Sequence, residues 1–157
     1  MTVKIVHNVL TTDECKIIVN DLTDAHPEIT KQNLHLQLDD RFGYLDYIPS
    51  LYIDNLGHQI GRYCVTMCST GWYAGDAWHV DGTADELTLL LYLTGEPQGG
   101  GQFCTQESVH NFEPGALFVL NSSVSHYVAP YAGATPRLAF KWRYKIQSGS
   151  TSDPRLL

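Results

Sequence analysis

The sequence is poor in basic residues. Only 10 of its 157 residues are Lys or Arg, against 17 Asp or Glu, so its formal net charge is −7. Nucleic acids and anionic membranes are bound through clustered Lys and Arg. The one basic group, Lys141, Arg143 and Lys145, alternates along a predicted strand, and we interpret it as a solvated face. The composition therefore predicts no nucleic-acid partner and no membrane partner.

The sequence also lacks a long apolar run. A membrane-spanning helix needs about 20 consecutive, mostly apolar residues, and no such stretch occurs. The opening MTVKIVHNVL is short and polar for a secretory signal. From these two observations we expect a cytoplasmic protein.

Paired cysteines are missing as well. The four cysteines, Cys15, Cys64, Cys68 and Cys104, form no Cys-x-x-Cys motif. Such pairs are typical of zinc sites and redox centres. Cys64 and Cys68 share one face of a strand-like stretch but are too few for a chelate. We predict free, buried thiols.

Helical patterns are confined to the N-terminal part of a chain long enough for one domain with a real core. Thr11 and Glu14 have the spacing of a capping box, and an apolar face follows them. That face consists of Cys15, Ile18, Val19 and Leu22. A second, weaker helix is predicted over residues 49–63. We predict one domain over residues 1–147 and a flexible tail over residues 148–157.

Beyond residue 62, short runs of β-branched and aromatic residues alternate with turn residues. With LHLQL near residue 36 they predict about eight strands, typical of an antiparallel sandwich or jelly roll. LTLLLYL (87–93) is apolar on both faces. It should be a central strand, with one side in the barrel and the other under a helix. The predicted fold class is mostly β with flanking N-terminal helices packed on one sheet (α+β).

The segment AWHVDGTAD places His79 and Asp81 one residue apart where a predicted strand ends. Side chains at positions i and i+2 of a strand point to one face, so the pair can present an imidazole and a carboxylate to one point. A second reading stays open, because His-x-Asp occurs often by chance. In that reading His79 packs in the core and Asp81 begins a turn.

The remaining histidines offer weaker pairs. His26 has Glu28 two residues on, but a proline separates them where the first predicted helix ends. Four others have no carboxylate two residues away and are interpreted as surface or structural residues. They are His7, His35, His58 and His110.

Two downstream residues favour a metal site. His126 follows after roughly three short strands, which a jelly roll can return to the side of the first pair. Two neutral imidazoles and one carboxylate form a facial triad that leaves positions open on non-haem Fe(II). Arg137 at the head of the last strand supplies a planar, permanently charged fork for a ligand carboxylate.

Five segments in this order resemble the Fe(II)/2-oxoglutarate-dependent dioxygenases, especially the prolyl-hydroxylase-like branch. They are HVD (79–81), TLLLYLT (88–94), GGGQF (99–103), HYVAP (126–130) and RLAFKW (137–142). The resemblance covers residues 62–146, and the opening VHNVLTTDECKIIVNDL is similar to the family's first strand and helix. It implies a double-stranded β-helix (jelly roll, cupin-like), with Fe(II), 2-oxoglutarate and O2 as cofactor and cosubstrates.

The resemblance also assigns roles to single residues. His79, Asp81 and His126 would hold the iron as the catalytic metal ligands. Arg137 would pair with the distal carboxylate of 2-oxoglutarate, and Tyr92 would hydrogen bond to the same group. For Tyr92 a plain core aromatic remains the alternative.

Other positions fit the family pattern less closely. Tyr73 resembles a cosubstrate-binding tyrosine upstream of the motif in prolyl hydroxylases, although the gap here is shortened. Ala139 stands where some branches carry a serine. In the last strand, Leu138 and Phe140 begin an apolar face opposite Arg137. Two arrangements stay open. The apolar face lies outside the barrel under a helix, or a bulge midway along the strand exchanges its two faces.

The activity implied by the resemblance is hydroxylation of an unactivated C–H bond, with release of succinate and CO2. Asp81 favours hydroxylation over halogenation, while desaturation and ring closure stay open. The implied substrate is a prolyl-type peptidyl residue, or a free amino acid or small metabolite. Residues 32–50 and 82–86 are the expected substrate contacts.

The short chain implies an open site or one completed by a second subunit, hence a possible homodimer. Two other readings stay open. One is a catalytically inactive jelly-roll binding module. The other is a cupin-type metalloenzyme that does not use 2-oxoglutarate.

Overall fold

Two antiparallel sheets and two helices make up the described part of the computed structural model, which is residues 3–54, 56–68 and 77–147. The predicted flexible tail over residues 148–157 lies outside the described residues. So does Tyr73, for which we predict a cosubstrate contact. Among the described residues, no helix is long and apolar enough to span a membrane.

Helix α1 (Thr12–Ala25) begins at the predicted capping box. The Glu14 N–H donates to Thr11 Oγ1 at 3.1 Å, and the Thr11 N–H donates to Glu14 Oε1 at 2.9 Å. These two bonds satisfy backbone donors that the first turn leaves without intrahelical partners. Of the predicted apolar face, Cys15, Ile18 and Leu22 are buried and Val19 is partly buried against the same core, so the helix is confirmed.

The second predicted helix is wrong over most of its length. Helix α2 (Tyr47–Tyr52) is only six residues long, and strand β3 (Leu56–Met67) begins at Leu56, inside the predicted helix. Gly57 and Gly61 weaken a helix there, because glycine costs about 1 kcal/mol relative to alanine inside one. Antiparallel pairing of β3 with the strand over Arg137–Ile146 replaces the lost helical hydrogen bonds.

The other elements of the described residues are eight strands and three 3-10 helices. The strands are β1 (Lys4–Val6), β2 (Leu34–Gln37), β4 (Glu86–Thr94), β5 (Phe103–Thr105), β6 (Val109–His110), β7 (Leu117–Asn121), β8 (His126–Val128) and β9 (Arg137–Ile146). The 3-10 helices are Pro27–Thr30, Asp40–Leu45 and Pro97–Gly99.

The strands form a six-stranded sheet in the order β1-β7-β4-β9-β3-β2 and a three-stranded sheet in the order β6-β5-β8. This is a jelly-roll arrangement, so the predicted fold class is confirmed. The predicted AWHV strand is reduced to one bridge, between His79 and His126.

Strand β4 separates two apolar cores, as predicted for a central strand. Leu89 and Leu91 face a core that also contains the α1 residues Ile18 and Leu22. Tyr92 lies on the other face, in a core enclosed between the two sheets. Successive side chains of β4 therefore pack alternately into the two cores.

Strand β9 has the same two-sided arrangement. Phe140 and Trp142 lie in the core beneath the helices, whereas Ala139 lies in the core between the sheets. The apolar face thus lies outside the barrel. Lys141 is consequently buried and Arg143 half-buried, so interpreting the basic group as a solvated face is wrong for both.

All four cysteines are free and buried, as predicted. Cys64 lies on β3 against the core beneath the helices. Burial raises the pKa of its thiol to about 12, because the thiolate would lose its solvation. Cys64 is therefore a structural residue rather than a reactive one.

Replacing Leu89 by alanine tests the central position of β4. Leu89 is 0% exposed, whereas Leu51 on α2 is 63% exposed. We expect Leu89→Ala to lower the free energy of unfolding by about 2–5 kcal/mol, because it opens a cavity. Leu51→Ala should change it by about 0.5 kcal/mol or less. Equal urea midpoints for the two variants would contradict this placement of β4.

Candidate metal centre

His79, Asp81 and His126 come together at one end of the barrel. One ligand atom from each lies within 4.8 Å of the others. Asp81 Oδ1 is 3.8 Å from His79 Nε2, and Asp81 Oδ2 is 3.7 Å from His126 Nε2. These separations are those of side chains arranged around a common point rather than bonded to one another.

Backbone pairing brings the two histidines together. The His79 N–H donates to His126 O at 2.9 Å, and the His126 N–H donates to His79 O at 2.9 Å. Two residues that exchange both bonds are directly opposite each other, so their side chains emerge on one face. The Asp81 N–H donates to Ser122 O at 2.9 Å, which fixes the third member.

A carbonyl acceptor orients each imidazole ring. His79 Nδ1 lies 2.8 Å from Ala77 O, and His126 Nδ1 lies 2.9 Å from Val124 O. A carbonyl oxygen only accepts, so Nδ1 donates in each ring and Nε2 is the nitrogen on the side of Asp81. Phe103 stacks on His126 with ring centroids 4.7 Å apart and further restricts that ring.

The surroundings favour the protonation states that a metal requires. Burial lowers the pKa of His126, because the imidazolium would lose solvation. Burial alone would raise the pKa of the Asp81 carboxyl, but the charges and hydrogen bond of its neighbours, Lys141 first, hold it below its usual value. A neutral imidazole and an ionised carboxylate are the forms that bind metals.

A half-open cavity of about 370 Å³ adjoins the three side chains. Apolar residues, among them Leu90, Phe103 and Val128, line one part of it. Asn33 and His35 also line it, so part of the predicted 32–50 segment reaches the site. The predicted 82–86 loop does not line the cavity, because Glu86 turns to Arg143 and Lys145 on β9.

Arg137 lines the same cavity and is 2% exposed. Its guanidinium lies 4.9 Å from the ring centroids of both Tyr92 and Phe112, and Nη2 donates to Tyr92 Oη at 3.3 Å. Arg137 Nε has no hydrogen-bond partner, and no carboxylate of the described residues pairs with this side chain. A buried cation in this state calls for an anionic ligand.

Two residues contact the metal-ligand candidates but were not predicted to belong to the site. Lys141 donates from Nζ to Asp81 Oδ1 at 2.9 Å, and Phe103 packs on His126. The signal for Lys141 is its spacing of four from Arg137, which puts both on one face of β9. Phe103 closes the GGGQF segment, where the sequence offers no chemical signal for a ring contact.

Comparisons with known proteins identify the fold. No family model matches the chain, and no curated protein matches it. A viral collagen prolyl hydroxylase from Paramecium bursaria Chlorella virus-1, solved as a 2-oxoglutarate complex, matches with TM-score 0.65 and 14% identity over 94% of this chain and 97% of that one.

Two further solved structures match as well. A prolyl hydroxylase from Trichoplax adhaerens, in complex with a hypoxia inducible factor peptide, has TM-score 0.68 and 17% identity over 92% of this chain and 83% of that one. HygX from Streptomyces hygroscopicus, with nickel and 2-oxoglutarate bound, has TM-score 0.67 and 11% identity over 96% and 84%. The chain therefore shares the fold of these proteins at low sequence identity.

Replacing Arg137 by methionine tests whether it is an uncompensated cation. We expect Arg137→Met to raise the free energy of unfolding of the ligand-free protein by about 1 kcal/mol, because it removes a buried, unpaired charge. Arg62 is the control, since its Nε donates to Asp46 at 3.0 Å and its side chain is 11% exposed. Arg62→Met should lower that free energy by about 3 kcal/mol. Equal losses for both variants in urea titrations would show that Arg137 is an ordinary structural residue.

Proposed function

We propose that the protein is a non-haem Fe(II)- and 2-oxoglutarate-dependent dioxygenase that hydroxylates an unactivated C–H bond and releases succinate and CO2. One observation carries the proposal. The same cavity contains a His-Asp-His cluster and a buried arginine that has no carboxylate partner among the described residues. The first feature suits a metal, and the second suits an anionic cosubstrate.

The donor set fits Fe(II). Structural zinc sites are closed by four protein ligands, commonly with cysteine. Here two imidazoles and one carboxylate converge, and the cavity opens beside them. Three ligands of this kind leave coordination positions open for a chelating cosubstrate and for oxygen. We assign the metal to His79, Asp81 and His126.

The surroundings of Arg137 fit the distal carboxylate of 2-oxoglutarate. A guanidinium presents a planar fork that matches a carboxylate, and Arg137 is held in place between two aromatic rings. Tyr92 Oη, already bonded to Arg137, offers its own proton to the same carboxylate. These contacts favour this reading over a cupin-type enzyme without 2-oxoglutarate and over an inactive binding module.

The residues of the chain position the reactants. Bound Fe(II) with 2-oxoglutarate would supply the oxidising chemistry. The three ligands fix the metal, Arg137 and Tyr92 orient the cosubstrate, and the apolar wall around Phe103 and Val128 limits access of water. Asp81 occupies the position where a small residue would admit halide, which favours hydroxylation.

The proposed substrate is a prolyl-type residue of a peptide, entering past Asn33 and His35. The half-open cavity supports this, and a neighbour of the same fold binds a peptide. A free amino acid or small metabolite is the alternative, and turnover with each class separates the two. The cytoplasmic location, the absence of a nucleic-acid partner and the homodimer stay predictions.

The metal assignment is tested by removing one imidazole. Anaerobic protein with Fe(II) and 2-oxoglutarate should show a visible charge-transfer band, because both bind one centre. His79→Ala should abolish the band, since two protein ligands remain. His35→Ala is the matched control, because His35 lines the same cavity outside the cluster, and it should keep the band. A wild-type protein without the band, or a band unchanged in His79→Ala, would refute the assignment.

The cosubstrate assignment is tested at Arg137 and Tyr92. Arg137→Met should raise the 2-oxoglutarate concentration for half-maximal turnover by about 100-fold or more, because a desolvated charge pair is lost. Tyr92→Phe should raise it about tenfold or less, because one neutral hydrogen bond is lost. Co(II) affinity, measured separately, should stay unchanged in both. Unchanged 2-oxoglutarate dependence in Arg137→Met would remove Arg137 from this role and leave the metal site standing.

A further inference from the structure

Lys141 is the second cation of the cavity. It lies on β9 with 8% exposure, and its Nζ donates to Asp81 Oδ1 at 2.9 Å. The Asp81 side chain is itself 7% exposed. Lysine is almost never buried to this extent unless it is paired. The contact is therefore a buried ion pair and not a surface one.

In the metal-free protein, Lys141 is the charge partner that Asp81 needs. Lys141 Nζ is 2.9 Å from Asp81 Oδ1, whereas the Nε2 atoms of His79 and His126 are 3.8 Å and 3.7 Å from the carboxylate oxygens. Removing one member of a buried pair leaves the other as an uncompensated charge, which is strongly destabilising. Apart from the two histidines, Lys141 is the one basic residue that pairs with Asp81 among the described residues.

A metal at the same cluster would meet the same ammonium. Lys141 bonds to Oδ1, the Asp81 oxygen that is 3.8 Å from His79 Nε2, while Oδ2 is 3.7 Å from His126 Nε2, so the ammonium lies beside the cluster. Strand β9 lies between β4 and β3, so Lys141 is anchored in the middle of the larger sheet. Two positive charges a few ångströms apart repel strongly in a partly buried site.

We propose that Lys141 is the resident counter-ion of the metal centre: it compensates Asp81 when no metal is bound, orients the carboxylate through Oδ1, and thereby lowers the affinity for the metal. Lys141 is a positioning residue, since it acts through Asp81. The inference rests on the metal site proposed above. With Asp81 neutralised by Lys141, the chain can fold around the two imidazoles and the buried carboxylate before a metal binds.

The experiment uses the full chain, stripped of metal, with Co(II) as the probe. Lys141→Met removes the charge and the bond, Lys141→Gln removes the charge and keeps a donor, and Lys141→Arg keeps the charge. Lys145→Met is the control, because Lys145 lies on the same strand but pairs with Asp85 and Glu86 outside the cluster. Thermal unfolding is measured with and without saturating Co(II), and Co(II) affinity is measured by visible absorption.

We expect metal-free Lys141→Met to melt roughly 5 °C or more below wild type, while Lys145→Met changes by about 2 °C or less. Both Lys141→Met and Lys141→Gln should bind Co(II) at least about tenfold more tightly than wild type, because the repulsion is gone. Saturating Co(II) should close most of the gap in melting temperature. Lys141→Arg should resemble wild type in both measurements.

Weaker or equal Co(II) binding by Lys141→Gln would overturn the proposal, and this variant decides the question if Lys141→Met does not fold. A metal-free Lys141→Met as stable as Lys145→Met would overturn it too. Failure of the wild-type protein to bind Co(II) is a different result, because it refutes the proposed metal site itself.

Discussion

The pair of backbone hydrogen bonds between His79 and His126 is the constraint on which the site depends. It joins a short segment before β4 to strand β8, two parts of the chain that are far apart in sequence. Because opposed residues of an antiparallel pair present their side chains on one face, the two imidazoles meet without any direct bond between them. Asp81, two residues after His79, then points to the same place, and the cavity opens beside all three.

The larger sheet supports this site through β4 and β9, which are buried on both faces over most of their length. On β4 and β9, alternate side chains enter the core under the helices, and the others enter the barrel. The barrel face of β9 carries Arg137, Lys141 and Arg143. Arg143 pairs with Glu86 and Lys141 with Asp81, whereas Arg137 contacts the hydroxyl of Tyr92 and two aromatic faces. Lys141 and Arg143 therefore pair with carboxylates, whereas Arg137 is the cation for which we propose an anionic ligand.

Part of this could be predicted from the sequence, because local chemistry was enough. The capping box identified α1, the two-sided run at 87–93 identified a central strand, and the order of His79, Asp81, His126 and Arg137 predicted residues that the fold brings to one cavity. The second helix was wrong because β3 is stabilised by distant pairing with β9, which no local pattern reports. Lys141 was predicted to be exposed because a basic residue on an alternating strand is usually solvated. Its buried partner, Asp81, is distant in sequence. The single-domain boundary at residue 147 stays a prediction.

The proposed oxygenase activity makes one quantitative demand that neither a binding module nor a cupin without 2-oxoglutarate can meet. The direct measurement is the stoichiometry of 2-oxoglutarate consumed to succinate formed when oxygen is admitted to the Fe(II)-loaded protein. We expect Fe(II)-dependent conversion with one succinate for each 2-oxoglutarate consumed. Saturable binding of Fe(II) and 2-oxoglutarate without any succinate above a metal-free control would contradict it.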